Sequence, residues 1–186
     1  VLDFAEALPG EKLDGLKVTP GAYLGSCRYK LPESLEDPVY PRLFKKFEEM
    51  NIGWFFYIGG NDSMDTVDKL SKYLNTKGIT DITVVGAPKT IDNDIWGTDM
   101  TFGFQSAVNI ATNAIDCIHT TAASHGRVFI VEVMGHKVGW LTLHAGIAGG
   151  ADIILIPEIP YDIQKIAEAV KNRSRSGKGF TILAVA

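Results

Sequence analysis

Cysteine is scarce in this chain. Cys27 and Cys117 are the only two, and no CxxC spacing occurs, so neither a disulfide framework nor a zinc site is indicated. No apolar run approaches the ~20 residues that a membrane-spanning helix needs. The opening Val1-Leu2-Asp3-Phe4-Ala5-Glu6 does not read as a signal peptide. A formal net charge of −4 leaves no basic excess for non-specific nucleic-acid binding. Repeats, low-complexity tracts and linker-like shifts in composition are also missing. These absences lead us to expect a soluble, cytoplasmic protein with neither nucleic acid nor membrane as partner. On that expectation the sequons Asn61-Asp62-Ser63 and Asn172-Arg173-Ser174 are chance matches.

What is present is ample core material. Of 186 residues, 46% are hydrophobic and 22% charged, the balance of one ordinary domain or one lobe of a larger one. Residues 40–51 place Leu43, Phe44, Phe47 and Met50 on one helical side and Lys45, Lys46, Glu48 and Glu49 on the other. Trp54 to Ile58 then reads as a buried strand, and Val67, Leu70 and Leu74 space out a helix that ends at Gly78. Ile82 to Val85 is the next strand, breaking at Gly86 and Pro88, and Phe104 to Ala123 is a long helix. Val128 to Val133, a helical segment reaching Ala148, a strand over 153–156, a helix over 161–175 and a strand from Phe180 to Val185 complete the series. Continuous apolar strands alternating with helices predict an α/β fold: a three-layer α/β/α sandwich with a mostly parallel sheet. In such sheets ligands sit beyond the carboxyl ends of the strands, which is where every polar motif of this chain falls.

The densest of these motifs is Pro88-Lys89-Thr90-Ile91-Asp92-Asn93-Asp94. If Thr90 to Asp94 is extended, then Thr90, Asp92 and Asp94 point one way and Ile91 and Asn93 the other. Lys89 at the mouth of that array could hold a phosphate while a carboxylate accepts a proton. The same residues also make an ordinary polar turn. Gly59-Gly60-Asn61-Asp62-Ser63 opens a helix directly after a strand, so its free N–H groups suit an anion. It matches neither a Walker A sequence nor a dinucleotide fingerprint, and the plain alternative is a tight turn with Asp62 or Ser63 capping the helix. Arg28 follows a turn-rich stretch and has the fork geometry to grip phosphate, although a lone arginine is commonly a surface residue. Met134-Gly135-His136-Lys137 puts two donors at a strand end, and Glu158 could take a substrate hydroxyl or serve as helix N-terminal charge. His144 lies within a helical stretch and reads as structural, and His119 and His125 have no organised partners. Arg127 precedes a strand, the wrong end for the local site.

Taken in order, Thr19-Pro20-Gly21, Leu24-Gly25-Ser26, Arg28, Gly59 to Ser63, Pro88 to Asp94, Gly97-Thr98-Asp99, Thr101 to Phe104, Val131 to Gly139, Ala148 to Ala151 and Pro157-Glu158 resemble the phosphofructokinase family. The resemblance runs over nearly the whole chain and implies the Rossmann-like phosphofructokinase fold in part. It implies Asp92 as the base that takes the proton from the sugar 1-hydroxyl, with Thr90 and Asp94 orienting substrate or metal. Arg28 matches the arginine that bridges the transferring phosphoryl group. Met134, Gly135, His136 and Glu158 match contacts to fructose 6-phosphate, and Arg127 matches an arginine that reaches the 6-phosphate across a homo-oligomer interface. Gly59, Gly60, Asp62 and Ser63, with Lys89, would hold the donor, and Asn61 and Asp62 a Mg²⁺ ion.

Asp62 and Lys89 occupy positions that are glycine in many ATP-using members. Side chains there narrow a nucleotide pocket and add a cation suited to pyrophosphate. The expected activity is therefore that of a diphosphate–fructose-6-phosphate 1-phosphotransferase, giving fructose 1,6-bisphosphate reversibly in glycolysis. The alternatives are an ATP-dependent 6-phosphofructokinase and a non-catalytic regulatory subunit. Two departures stand out: Asn61 replaces an aspartate, and His136 an arginine. Residues 1–186 are expected to be the central part of a phosphofructokinase domain, without the family's first glycine-rich loop and its later sugar-phosphate contacts.

Overall fold

The computed structural model describes residues 14–21 and 25–186. The chain divides into two compact units, Val1–Leu31 and Pro32–Ala186. In the first, the described residues form a short 3₁₀ turn, Gly15–Lys17, whose carbonyl at Gly15 accepts from Thr19 Oγ1 at 2.6 Å. Arg28 lies in this unit, exposed and outside regular structure. Leu24, named in the family resemblance, falls outside the described residues.

The second unit alternates strand and helix as its hydrophobic pattern demands. Helix α1, Val39–Glu49, buries Tyr40, Phe44 and Phe47. Strand β1, Trp54–Gly59, leads into α2, Asn61–Lys77, which stops at Gly78 in the left-handed conformation. Strands β2, Thr83–Thr90, and β3, Phe102–Gly103, precede α3, Phe104–His125. Then come β4, Val128–Glu132; α4, Trp140–Ala148; β5, Ile153–Leu155; α5, Ile163–Arg175; and β6, Thr181–Val185. Asp162 caps α5 by accepting from the Gln164 amide at 2.8 Å.

All strand pairs are parallel, in two sheets ordered β1-β2-β3 and β4-β6-β5. Each sheet has its own packing. Tyr73 of α2 stacks between Tyr40 and Phe44 of α1, with ring centroids 5.2 and 5.0 Å away, and Phe47 meets Phe55 of β1 at 4.9 Å. Under the second sheet, Ile115, Ala122, Ala145, Ile182 and Ala184 form a fully buried cluster. A neighbouring cluster of Phe104, Val108, Val133 and Leu141 also takes Ile91, which ties the loop after β2 to the end of β4. One row of β1 faces outward: Trp54, Phe56 and Ile58 are each more than 60% exposed.

Strand β2 departs from the expected break at Gly86 and Pro88. It runs on to Thr90, with Gly86, Ala87 and Pro88 paired to Tyr57, Ile58 and Gly59. Gly86 packs under the Met64 side chain, whose sulfur would lie 2.8 Å from a Cβ added there. The longer strand brings Lys89 and Thr90 level with the end of β1.

Candidate active site

The register that sets Gly59 against Pro88 decides the first half of the site. It carries the turn after β1 and the loop after β2 out of the same carboxyl edge of one sheet. The turn is tight: a Cβ on Gly59 would fall 2.1 Å from Ser63 Oγ, so internal packing alone already favours glycine here. Gly60 is the N-cap of α2, and a Cβ there would stand 3.7 Å from the Lys89 carbonyl. Asn61 and Asp62 fill the first positions of α2 and are exposed, as is Lys89 across the gap. Ser63 is partly covered.

Past Thr90 the chain does not stay extended. Strand β2 ends there, and Asn93 adopts φ +55, so the predicted alternation fails after Asp92. The physical reason is the Asn93 side chain. Its Oδ1 accepts from the Thr101 amide at 2.8 Å, with Thr101 Oγ1 3.2 Å away, while its Nδ2 donates to the Asp99 carbonyl at 3.3 Å. Thr101, 3% exposed, also donates its hydroxyl to the Thr90 carbonyl at 2.9 Å. These bonds curl the loop back on itself. Thr90 and Asp92 still meet: Thr90 Oγ1 accepts from the Asp92 amide at 3.2 Å and donates to Asp92 Oδ2 at 3.3 Å. Asp94 is turned toward α2 instead, taking a bond from Asn61 Nδ2 at 2.8 Å, and its other oxygen is buried without a partner. Asn93 and Thr101 are thus structural parts of the site. The local signal for Asn93 was its residue type, since asparagine tolerates positive φ better than most residues.

Beside this loop opens a cleft of about 630 Å³, whose lining includes Asp94, Trp96, Asp99, Trp140 and His144. Trp96 stands 98% exposed at its edge. Acidic groups and indole faces in one cleft suit a polyhydroxylated ligand with apolar C–H faces.

The other half of the site forms at the carboxyl edge of the second sheet. Met134 and His136 follow β4 and are exposed, and His136 has φ +43. Gly135 is buried where a Cβ would sit 2.6 Å from the Val138 carbonyl and 3.1 Å from Ala186 Cβ. The Val138 amide closes the turn onto the Gly135 carbonyl at 2.7 Å. Glu158 comes to the same place but is engaged, its Oε1 accepting from the Gly139 amide, the N-cap of α4, at 2.7 Å. Arg127 is exposed at the amino end of β4, away from this edge. His119 is structural, its Nε2 lying 2.7 Å from the Gly149 carbonyl, and His144 packs edge-on to Phe104.

Among the described residues, no three His, Cys, Asp or Glu side chains gather to chelate a metal by themselves. What the site offers a cation is the buried free oxygen of Asp94, whose other oxygen is bonded to Asn61. That fits a magnesium ion completed by water and substrate phosphates rather than a protein cage.

The phosphofructokinase family model matches residues 3–186. This chain belongs to the phosphofructokinase family. It is 44% identical over 185 residues to ATP-dependent 6-phosphofructokinase 3 of Bacteroides thetaiotaomicron, covering 97% of this chain and 53% of that protein. With the ATP-dependent 6-phosphofructokinase of Chloroflexus aurantiacus it shares 51% over 171 residues, 92% of this chain and 46% of the other. The crystal structure of a pyrophosphate-dependent phosphofructokinase from Marinobacter aquaeolei superposes with a TM-score of 0.80 at 36% identity, covering 99% of this chain and 47% of that one. The chain spans about half the length of these phosphofructokinases. Its fold is the α/β phosphofructokinase fold, and no helix among the described residues is long and apolar enough to cross a membrane.

Proposed function

We propose that the protein containing this chain transfers a phosphoryl group to the 1-hydroxyl of fructose 6-phosphate, giving fructose 1,6-bisphosphate, with Asp92 as base. The observation that supports this best is the Thr90–Asp92 pair, held at the carboxyl edge beside the turn after β1. Thr90 donates to one carboxylate oxygen and fixes the group's orientation, leaving the other to accept the sugar proton as the oxygen attacks phosphorus. Lys89, Asp62 and the α2 N-terminus flank the donor, and Arg28 supplies charge to the transferring group in this reading. A magnesium ion, when bound, would neutralise donor phosphate charge; in this reading Asn61, Asp62 and Asp94 would hold it. Met134, Gly135, His136 and Glu158 face the sugar phosphate, and Arg127 serves a neighbouring subunit of a homo-oligomer.

For the donor, ATP is the reading that the curated relatives favour, since those at 44% and 51% identity are named ATP-dependent. Pyrophosphate is the second reading. Its support is Asp62 and Lys89, whose side chains occupy the donor side where a nucleotide would need room, and the 36% identical pyrophosphate-dependent structural relative. The test is initial rates in the full-length protein with Mg·ATP and with Mg·pyrophosphate, for wild type and Asp92→Asn. Loss of the base should lower kcat by roughly 10²- to 10⁴-fold with either donor. An Asp92→Asn enzyme with wild-type kcat would refute the assignment, and the donor that supports turnover in wild type decides between the two readings.

A further inference from the structure

Asn61 and Asp94 lie 33 positions apart in sequence, yet a 2.8 Å hydrogen bond joins them. Asn61 begins α2 after the Gly59-Gly60 turn, and Asp94 sits in the loop that carries Asp92. The bond therefore joins the donor side of the site to the catalytic loop by side chains. It engages one oxygen of Asp94 and leaves the other buried and unpartnered. A neutral amide is the residue type that can do this without a further partner. Its N–H donates to the carboxylate, and no second negative charge is brought up to the first. A carboxylate at position 61 would instead set two negative groups at contact distance, an arrangement stable only with a proton or a cation between them.

We propose that Asn61 is a positioning residue that clasps Asp94, closing the donor turn onto the catalytic loop before any cation arrives and presenting the second Asp94 oxygen for use. The proposal rests on the reading of this edge as the phosphoryl-transfer site. Closure of the apo site is then independent of divalent cation. A bound cation adds to an already formed arrangement instead of creating it.

The experiment compares wild type, Asn61→Asp and Asn61→Leu in the full-length protein. Thermal unfolding is followed without substrates, in chelator and in millimolar MgCl₂. The clasp predicts a wild-type midpoint that moves little with Mg²⁺, whereas Asn61→Asp melts lower in chelator and recovers with Mg²⁺. Equal Mg²⁺ responses in the two proteins would overturn it. Asn61→Leu removes the donor without adding charge and covers the case in which Asn61→Asp does not fold. Its KM for the phosphoryl donor should rise by about tenfold, the worth of one hydrogen bond to a charged group, with a smaller change in kcat. An unchanged donor KM would also count against the clasp. Should the wild-type protein show no phosphoryl transfer, the site reading fails in the rate assay, while the melting comparison still judges the clasp.

Discussion

The loop after β2 and the loop after β4 both stand at carboxyl edges of parallel sheets, yet they are built in opposite ways. The first is held by side chains. Asn93, Thr101 and Thr90 spend their polar groups on shaping the backbone, and Asp92 is oriented as a consequence. The second is held mainly by close packing, helped by the Val138 amide on the Gly135 carbonyl and by Glu158 on the Gly139 amide. Gly135 and Gly139 sit where any Cβ would collide, and Met134 and His136 project outward. A loop shaped by hydrogen bonds fixes its reacting groups before the substrate comes. A loop shaped by close packing fixes only its backbone and leaves its exposed side chains for the ligand to order. That division is what the proposed roles would need, a base that must be aimed and a sugar-phosphate pocket that must adapt.

The sharpest way to break this contrast is Gly139→Ala. The new methyl would stand 2.3 Å from Ile156 Cβ and 2.8 Å from Glu158 Oε2, both on the segment after β5. Overpacking of this kind costs about 3 kcal/mol at its upper range, read as a lowered urea midpoint with an unchanged m-value. If the alanine variant keeps wild-type stability, the second loop is not sterically fixed and the contrast collapses.

Asn93→Ala tests the first loop and should cost somewhat less. It strands the Thr101 amide, whose residue is buried, at about 1–3 kcal/mol, and it places alanine at a positive φ. Asn93→Gly relieves the backbone strain but not the lost bonds. If hydrogen bonds shape this loop, glycine recovers only a minor share of stability and kcat stays depressed in both variants. Full recovery with glycine would show that φ alone matters there.

How much of this was legible in the sequence follows from the same contrast. Apolar runs and helical spacing located the helices and most strands, because burial periodicity is local, but not the two-residue β3, and β1, read as buried, leaves Trp54, Phe56 and Ile58 exposed. The site segments were legible as polar breaks at strand ends. The continuation of β2 through Gly86 and Pro88 was not, because it rests on pairing with Tyr57, Ile58 and Gly59 of β1, a partner distant in sequence. The curl after Asp92 was hidden likewise, since Asn93 finds Thr101 eight residues later and nothing in the intervening residues announces that pairing. Glu158 could be read as helix N-terminal charge, but the helix it serves starts with Trp140, earlier in the chain. Only tertiary placement reveals that partner.

Glu158→Ala is the next smaller test. It removes the acceptor for the Gly139 amide and should lower stability by about 1 kcal/mol, the worth of a helix cap, whereas Glu158→Gln retains an acceptor and most of that stability. If the same carboxylate also contacts the sugar, Glu158→Gln will raise KM for fructose 6-phosphate while the melting curve hardly moves. A variant that melts early with unchanged KM would assign Glu158 to the fold alone.

The smallest effect concerns α2, which carries Asn61 at its start and is anchored at Lys69. That side chain is nearly buried and pairs with Asp65 at 2.8 Å and Glu33 at 2.6 Å. The bond to Asp65 first, and then that to Glu33, raises the Lys69 pKa well above its ordinary 10.5. A raised folded pKa means that the native state binds the proton more tightly than the unfolded chain does. The resulting stability is whole below about pH 10.5 and is lost as the pH climbs through the folded value. Burial raises Tyr40 above 10.0 as well and acts in the same direction, because the native state resists its ionisation. Lys69→Met should therefore flatten the alkaline fall in urea midpoint without abolishing it, the remainder belonging to Tyr40 and to Lys72, whose bond to Asp68 raises its pKa too. A fall as steep as that of wild type would mean that the Lys69 pairs do not hold α2. The side-chain clasp at its first residue would then have to keep the donor turn against the first loop without that anchor.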